Sequence, residues 1–313
     1  MRPNLFIIGA PKCGTSSLFD WLTSHPDIRG SQIKEPFFLT DPAHPLSRRP
    51  NLVDDGMAVY NSLFSLEDAK APIRMEATTH YLFDPMARDA IAAMPDARVI
   101  IVLREPAARV YSSFKYTANN LARLSPNLTF AHYITLIEER RRLSPKWCSH
   151  PGSAYVLERD IEYSNYAKYV KQWLETMGHN QIKILLMDSV INDTDATVRS
   201  VVDWLNLDPA RLGQLDHTGR NRTKEVKFPS LQAIVRKLNV RIRPPNWIRR
   251  LAKRAYNAFQ FRKPSPLTSD DAEALRQLRA RFSSDNAELA KVTGLDLSIW
   301  SSRTKATCKS EQQ

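Results

Sequence analysis

A chain of 313 residues, 42% hydrophobic and 25% charged, can bury one large α/β core or two small ones, and its composition is ordinary for a soluble globular enzyme. No run approaches the roughly 20 apolar residues that cross a bilayer, the first apolar run is too short for a signal peptide, and Cys13, Cys148 and Cys308 have neither disulfide nor metal-ligand spacing, so a cytosolic protein in a reducing compartment is expected. The formal charge of +12 is regional, because the stretch between Glu225 and Asp270 has eleven Lys and Arg and no acidic residue, which points to an anionic partner or surface.

The chain opens with four apolar residues, Leu5 to Ile8, that run into Gly9. A turn holding Lys12 follows, and Gly14-Thr15-Ser16-Ser17 leads into apolar positions at Leu18, Phe19, Trp21 and Leu22. The pattern predicts strand, phosphate loop and helix. Successive loop amides and the positive end of the helix make an anion site, with hydroxyls from Thr15, Ser16 and Ser17 as further donors. A Walker A loop carries its lysine directly after the second glycine, but here Thr15 stands there and Lys12 comes two residues before it, which disfavours an ordinary nucleotide triphosphatase. Cys13 reads as loop filler rather than as a nucleophile.

Pro26 ends the first helical pattern in a turn. In the following QIKEPFFLTD, Glu35 precedes Pro36 and the aromatic pair Phe37-Phe38, which suggests a carboxylate at the mouth of a pocket, an exposed loop glutamate being the alternative. Residues 41–70, with several prolines and one weakly amphipathic run from Val59 to Phe64, read as a surface excursion. Ile73 to Ala77 is a second buried strand, with Thr78 to Tyr81 at its carboxyl end, the edge where open α/β sheets bind ligands. His80 there suits a structural or a functional hydrogen bond.

A helical stretch from Asp84 to Met94 precedes Arg98 to Leu103, the clearest buried strand in the chain. Pro106 suits the first turn of the next helix, placing Arg104 at the strand's end and Ser112 about two turns further. A guanidinium fork and a hydroxyl so placed can grip one phosphate. Residues 114–163 show no simple period beyond a helix around Phe130–Arg142 and read as an inserted cap. Helical spacing from Ser164 to Leu174 leads to a strand at Ile182–Met187 and a helix through Val198, Val201, Val202, Trp204 and Leu205, with Trp173 and Trp204 as core. Thr218 to Lys227 is a basic loop, and an acid-led helix runs from Ser269 to Phe282.

These stretches together resemble the sulfotransferases that use 3′-phosphoadenosine 5′-phosphosulfate. The P-K-x-G-T-[ST]-[ST]-L order resembles their 5′-phosphosulfate loop, and R-x-P-x-x-R-x-x-S from Arg104 to Ser112 their 3′-phosphate motif. His25-Pro26-Asp27-Ile28 with Lys34 to Leu39, and Glu76, Thr78 and Tyr81, match further family patterns. So do Trp204 to Leu207, Asp285-Asn286-x-x-Leu289 and Gly294 to Trp300. Ala77 lacks the lysine of glycosaminoglycan-modifying relatives, and Thr79 replaces a proline.

The resemblance implies an α/β, P-loop-like three-layer fold with a central parallel sheet of four or five strands and a capping insertion, all in one domain over residues 1–313. It implies transfer of a sulfuryl group to the hydroxyl of a carbohydrate, glycolipid or small alcohol, leaving adenosine 3′,5′-bisphosphate. Lys12 would neutralise the leaving phosphate oxygen and Glu35 take the acceptor proton. Cofactor contacts would come from Lys12, Cys13, Gly14, Thr15, Ser16, Ser17, Arg104 and Ser112, from Arg222 and Lys224 of the late basic loop, and from Ser164 and Tyr166. No metal and no nucleic acid enter this reading. The acid-free segment 226–269, with Trp247, Ile248, Leu251, Tyr256, Phe259 and Phe261 among its positives, would lie on an anionic membrane or acceptor, a solvated basic excursion being the alternative. Rival readings are a P-loop nucleotide kinase and a non-catalytic nucleotide-binding, membrane-docking protein.

Overall fold

Apolar runs with β-branched residues become the strands of one sheet. The computed structural model describes residues 2–64, 70–217 and 267–301, together with the backbone of 225–226 and 261–262. Strands β1 (Leu5–Gly9), β2 (Ile28–Gly30), β3 (Ile73–Ala77), β4 (Arg98–Leu103) and β5 (Ile182–Leu186) pair in the order β2-β3-β1-β4-β5, and every pairing is parallel. All of β1 is buried and only Arg98 of β4 is not, as expected of strands covered on both faces. Edge strand β2 follows the Pro26 turn and has three residues, one of them buried, too few to leave a periodic signal.

Loops leaving β1 and β4, which are neighbours, run to opposite sides of the sheet: the chain passes from β1 to β2 at one edge and from β4 to β5 at the other. That is a topological switch point, and open α/β sheets bind ligands outside the carboxyl ends of the strands at such a point. Lys12 follows β1 and Arg104 follows β4.

Helix α1 (Thr15–Leu22) buries Leu18, Phe19, Trp21 and Leu22. The 41–70 stretch is not wholly a surface excursion. Asn51 caps α2 (Leu52–Asn61) by accepting from the Asp54 amide, and Tyr60, Leu63 and Phe64 are buried. Asp84 caps α3 (Pro85–Ala92), accepting from the amides of Met86 and Ala87, and α4 spans Pro106–Lys115.

Helix α5 (Phe130–Glu138) stops before the Arg142 expected from sequence. Arg140 takes φ 54, and the amides of Arg141 and Arg140 donate to Leu136 O at 2.9 Å and Ile137 O at 3.0 Å. This is a Schellman closure with arginine in the left-handed position, and a pattern of charged residues does not announce it. Beyond lie α6 (Pro151–Glu158), α7 (Asp160–Ser164), α8 (Tyr166–Met177), α9 (Met187–Asn192), α10 (Thr194–Trp204), α11 (Ser269–Arg281) and α12 (Ser283–Thr293). Trp173 is core, 1% exposed, and donates its indole N–H to Leu82 O at 3.0 Å. Trp204 is only half-buried and lies under the Arg98 guanidinium, 5.5 Å from its ring.

The chain divides into two compact units. One comprises Met1–Arg109, Tyr163–Asn221 and Arg281–Gln313 and holds the sheet; the other comprises Val110–Glu162 and Arg222–Ala280. In the second, Tyr133 donates to Leu157 O at 2.9 Å and to Asp160 at 3.2 Å, and two-residue strands β6 (Glu225–Val226) and β7 (Phe261–Arg262) pair antiparallel. Arg222, Lys224 and most of the acid-free segment 226–269 lie outside the described residues. No helix among the described residues is long and apolar enough to cross a membrane.

Candidate active site

The turn after β1 is shaped by backbone. Ala10 N–H donates to Val102 O at 2.8 Å, tying the loop to β4. Gly9 has no room for a side chain, since a Cβ there would lie 2.7 Å from the Leu82 side chain. Lys12 takes φ 70 and Gly14 φ 83, left-handed conformations of the kind from which anion-binding backbone nests are built. Gly14 is the N-cap of α1 and supplies no side-chain acceptor, so the helix start faces the loop without a carboxylate or hydroxyl of its own cap on it. This donor set fits a phosphate oxygen cluster: amides, hydroxyls at the first turn, and one lysine.

Lys12, Ser16 and Ser17 are half-buried, whereas Thr15 is 4% exposed. Cys13 turns inward: fully buried, its Sγ lies 3.6 Å from Pro11 O and 3.9 Å from Tyr166 Oη, and its amide donates to Ala10 O at 3.3 Å. Burial pushes its thiol up, with Arg109 and Arg104 pulling the other way, so it is held as the thiol. What it brings to the loop is packing rather than a side chain turned to a ligand.

Arg104 is half-buried at the end of β4, its Nη1 3.4 Å from Lys12 O. Its own carbonyl accepts from Tyr166 Oη at 3.1 Å. Thus the two loops expected to hold the two ends of one ligand are joined to each other and to α8. The next residue, Glu105, caps α4 by accepting from the amides of Ala107 at 2.9 Å and Ala108 at 2.8 Å. Arg109 is fully buried and donates from Nε to Ser164 Oγ at 2.8 Å, so Ser164 serves a buried arginine. Ser112 lies further along α4, half-buried, in the second unit.

Glu35 stands on a strained turn, with φ 56 at Glu35 and φ 57 at Phe37. Its amide donates to Ala77 O at 2.9 Å, at the carboxyl end of β3. Its carboxylate accepts from Thr79 Oγ1 at 3.2 Å and lies 3.4 Å from Lys34 Nζ, while its side chain keeps 35% of its exposure. Thr79, standing where the resembling family has proline, thus contacts the expected base. Behind this turn Glu76 is fully buried. It accepts from Tyr60, from Thr78 Oγ1 at 2.5 Å and from Tyr81 at 3.3 Å. Burial pushes its carboxyl up to about 7; the Thr78, Tyr60 and Tyr81 hydrogen bonds pull it down, and the Glu35 charge adds to the rise.

His80 is 9% exposed and ringed by Phe37, Phe83 and Tyr163, each with its ring centre 6.0 Å away. Burial, then the charges of His44 and Arg109, push it down to about 3, so it is a neutral imidazole at physiological pH.

A family model described as "Sulfotransferase domain" matches residues 2–241, running through both compact units. Carbohydrate sulfotransferase 15 of Mus musculus is 27% identical, over 66% of this chain and 44% of the relative. Heparan sulfate glucosamine 3-O-sulfotransferase 3B1 of Mus musculus is 29% identical, over 74% of this chain and 52% of the relative. The chain thus spans about half the length of the curated relatives it matches. Among solved structures, a sulfotransferase from Alicyclobacillus acidocaldarius superposes with a TM-score of 0.66 at 25% identity, covering 96% of this chain and 99% of the other.

Proposed function

The chain belongs to the sulfotransferase-domain family, and from that premise we propose that it moves a sulfuryl group from 3′-phosphoadenosine 5′-phosphosulfate to a carbohydrate hydroxyl. The observation that carries this reading is the pairing of an amide-lined loop holding Lys12 with Arg104 at the end of the neighbouring strand, across a switch point of the sheet. When bound, the nucleotide supplies an activated sulfuryl group and a phosphate leaving group.

The loop amides with Thr15, Ser16 and Ser17 hold the 5′-phosphate end, and Arg104 holds the 3′-phosphate by a guanidinium fork. Ser112 keeps the role that its place in the R-x-P-x-x-R-x-x-S sequence gives it. Lys12 places positive charge where the leaving oxygen becomes anionic. Glu35 takes the proton of the acceptor hydroxyl as that oxygen bonds to sulfur, with Thr79 and Lys34 orienting its carboxylate.

A carbohydrate acceptor is supported by the relatives, two of which are named for carbohydrate or heparan sulfate glucosamine. We extend the domain over both compact units because the family match spans them, and place the protein in the cytosol on its cysteine usage. The test is transfer of labelled sulfate to a panel of desulfated heparan sulfate oligosaccharides, a monosaccharide glycoside and a small alcohol. Labelled oligosaccharide, abolished by Lys12→Ala, is expected. Label on the small alcohol alone would exclude the carbohydrate reading. Tighter binding of ATP with magnesium than of adenosine 3′,5′-bisphosphate would favour a kinase.

A further inference from the structure

The turn that carries Glu35 puts two non-glycine residues, Glu35 and Phe37, in the left-handed region. Such a backbone persists only where its surroundings over-determine it. The turn is held at Glu35 N–H by Ala77 O and at Phe38 O by the Leu52 amide, 2.8 Å away. It is held again by the Phe38 ring, stacked on Tyr60 at 4.7 Å and 13°, and by Leu39 N–H, which donates to Tyr81 Oη at 2.9 Å. Tyr60 and Tyr81 both end on the same oxygen of Glu76, and Thr78 on the other. A fully buried carboxyl is costly to keep unless donors converge on it, and here the donors come from α2, from the turn after β3 and from the residue that follows β3.

We infer that Glu76 is a positioning residue for the base: through Tyr60 and Tyr81 it fixes the Phe38–Leu39 backbone, and with it the place where the Glu35 carboxylate stands. The inference rests on Glu35 being the base, as proposed above. Tyr60, Tyr81 and Glu35 are the titratable groups that face it. Because Glu76 carries its proton up to about pH 7, its hydrogen bonds with Tyr60 and Tyr81, and with them the hold on the turn, change near that pH.

A double-mutant cycle tests the inference, with 3′-phosphoadenosine 5′-phosphosulfate and desulfated heparan sulfate oligosaccharides as substrates. Glu76→Gln and Tyr81→Phe are each made in the wild type and in Glu35→Gln. In the wild type, kcat should fall by up to about 100-fold, the scale of a misplaced catalytic group, with bisphosphate affinity unchanged and the pH dependence of kcat near pH 7 lost in Glu76→Gln. In Glu35→Gln neither change should lower kcat further, because residues that act through one another are not additive. Equal losses in both backgrounds, or unchanged kcat in both single variants, would overturn the inference while leaving Glu35 as the base. An active Glu35→Gln would remove the base and this inference together. Should Glu76→Gln fail to fold, Tyr81→Phe, which deletes one hydroxyl, carries the cycle alone.

Discussion

Lys12 and Arg104 stand on adjacent loops and would bear different duties in the proposed transfer, so their removal should leave different kinetic signatures. Lys12→Ala should lower kcat far more than bisphosphate affinity, because its charge is needed most as the leaving oxygen becomes anionic. Unchanged turnover would take it out of the mechanism. Arg104→Ala should weaken adenosine 3′,5′-bisphosphate by about 1.5–3 kcal/mol, the worth of a charged hydrogen bond, and leave adenosine 5′-phosphosulfate nearly unaffected; titration calorimetry with the two ligands separates these outcomes. Glu35→Gln should lower kcat by roughly 10²–10⁴-fold, the usual range for a lost acid–base group, as measured by single-turnover sulfate transfer. Lys12 and Arg104 stand out in the sequence because each follows a strand with a strong apolar run, and Glu35 because Pro36 and the aromatic pair Phe37-Phe38 follow it. Tyr60 does not. Its segment reads as a surface excursion with one weakly amphipathic run, and what holds it inside is stacking on Phe38 and a hydrogen bond to Glu76 on β3, contacts that no local window records.

At the scale of elements, the sequence shows helix bodies better than their ends. Helix α8 is framed by its apolar face, yet its N-cap residue Asn165 makes no side-chain cap. The cap comes from Asp285 at the start of α12, whose carboxylate accepts from the amides of Ala167 and Tyr166. The acid was visible in the sequence as part of a D-N-x-x-L pattern, but its partner lies more than a hundred residues away and the duty could not be read. Asp285→Ala should therefore cost about 1 kcal/mol, as the loss of a cap does, seen as a lower urea midpoint with unchanged slope. Since α8 also carries Tyr166, whose hydroxyl holds Arg104 O, the variant should bind bisphosphate more weakly as well. A variant of wild-type stability would show that the carboxylate contributes nothing to the helix start. The short strand β2 and the Schellman end of α5 were hidden for a related reason: one rests on pairing with β3, the other on a backbone conformation that arginine seldom adopts.

For the whole molecule, two buried groups that flank the Glu35 turn pull stability in opposite directions with pH. Glu76 goes from an ordinary 4.5 to about 7 on folding. Between those values the folded chain holds a proton that the unfolded chain has lost, so stability falls as pH rises, by about 3 kcal/mol over the window at 1.36 kcal/mol per unit. His80 goes from 6.5 to about 3, pushed by burial and then by His44 and Arg109. Here the unfolded chain holds the extra proton, so this contribution is complete above pH 6.5 and is lost as pH falls toward 3. From about pH 4.5 to 6.5 the two slopes cancel. Glu76→Gln should unmask the His80 slope and make the protein less stable at pH 5 than at pH 6.5. His80→Phe should unmask the Glu76 slope and make it more stable at pH 5 than at pH 7. Urea midpoints of the three proteins, taken at half-unit steps across this window, compare the slopes directly, since every other titrating group is common to all three. Parallel curves would mean that neither group changes its proton affinity on folding, and the buried carboxyl and imidazole would then owe their places to packing alone.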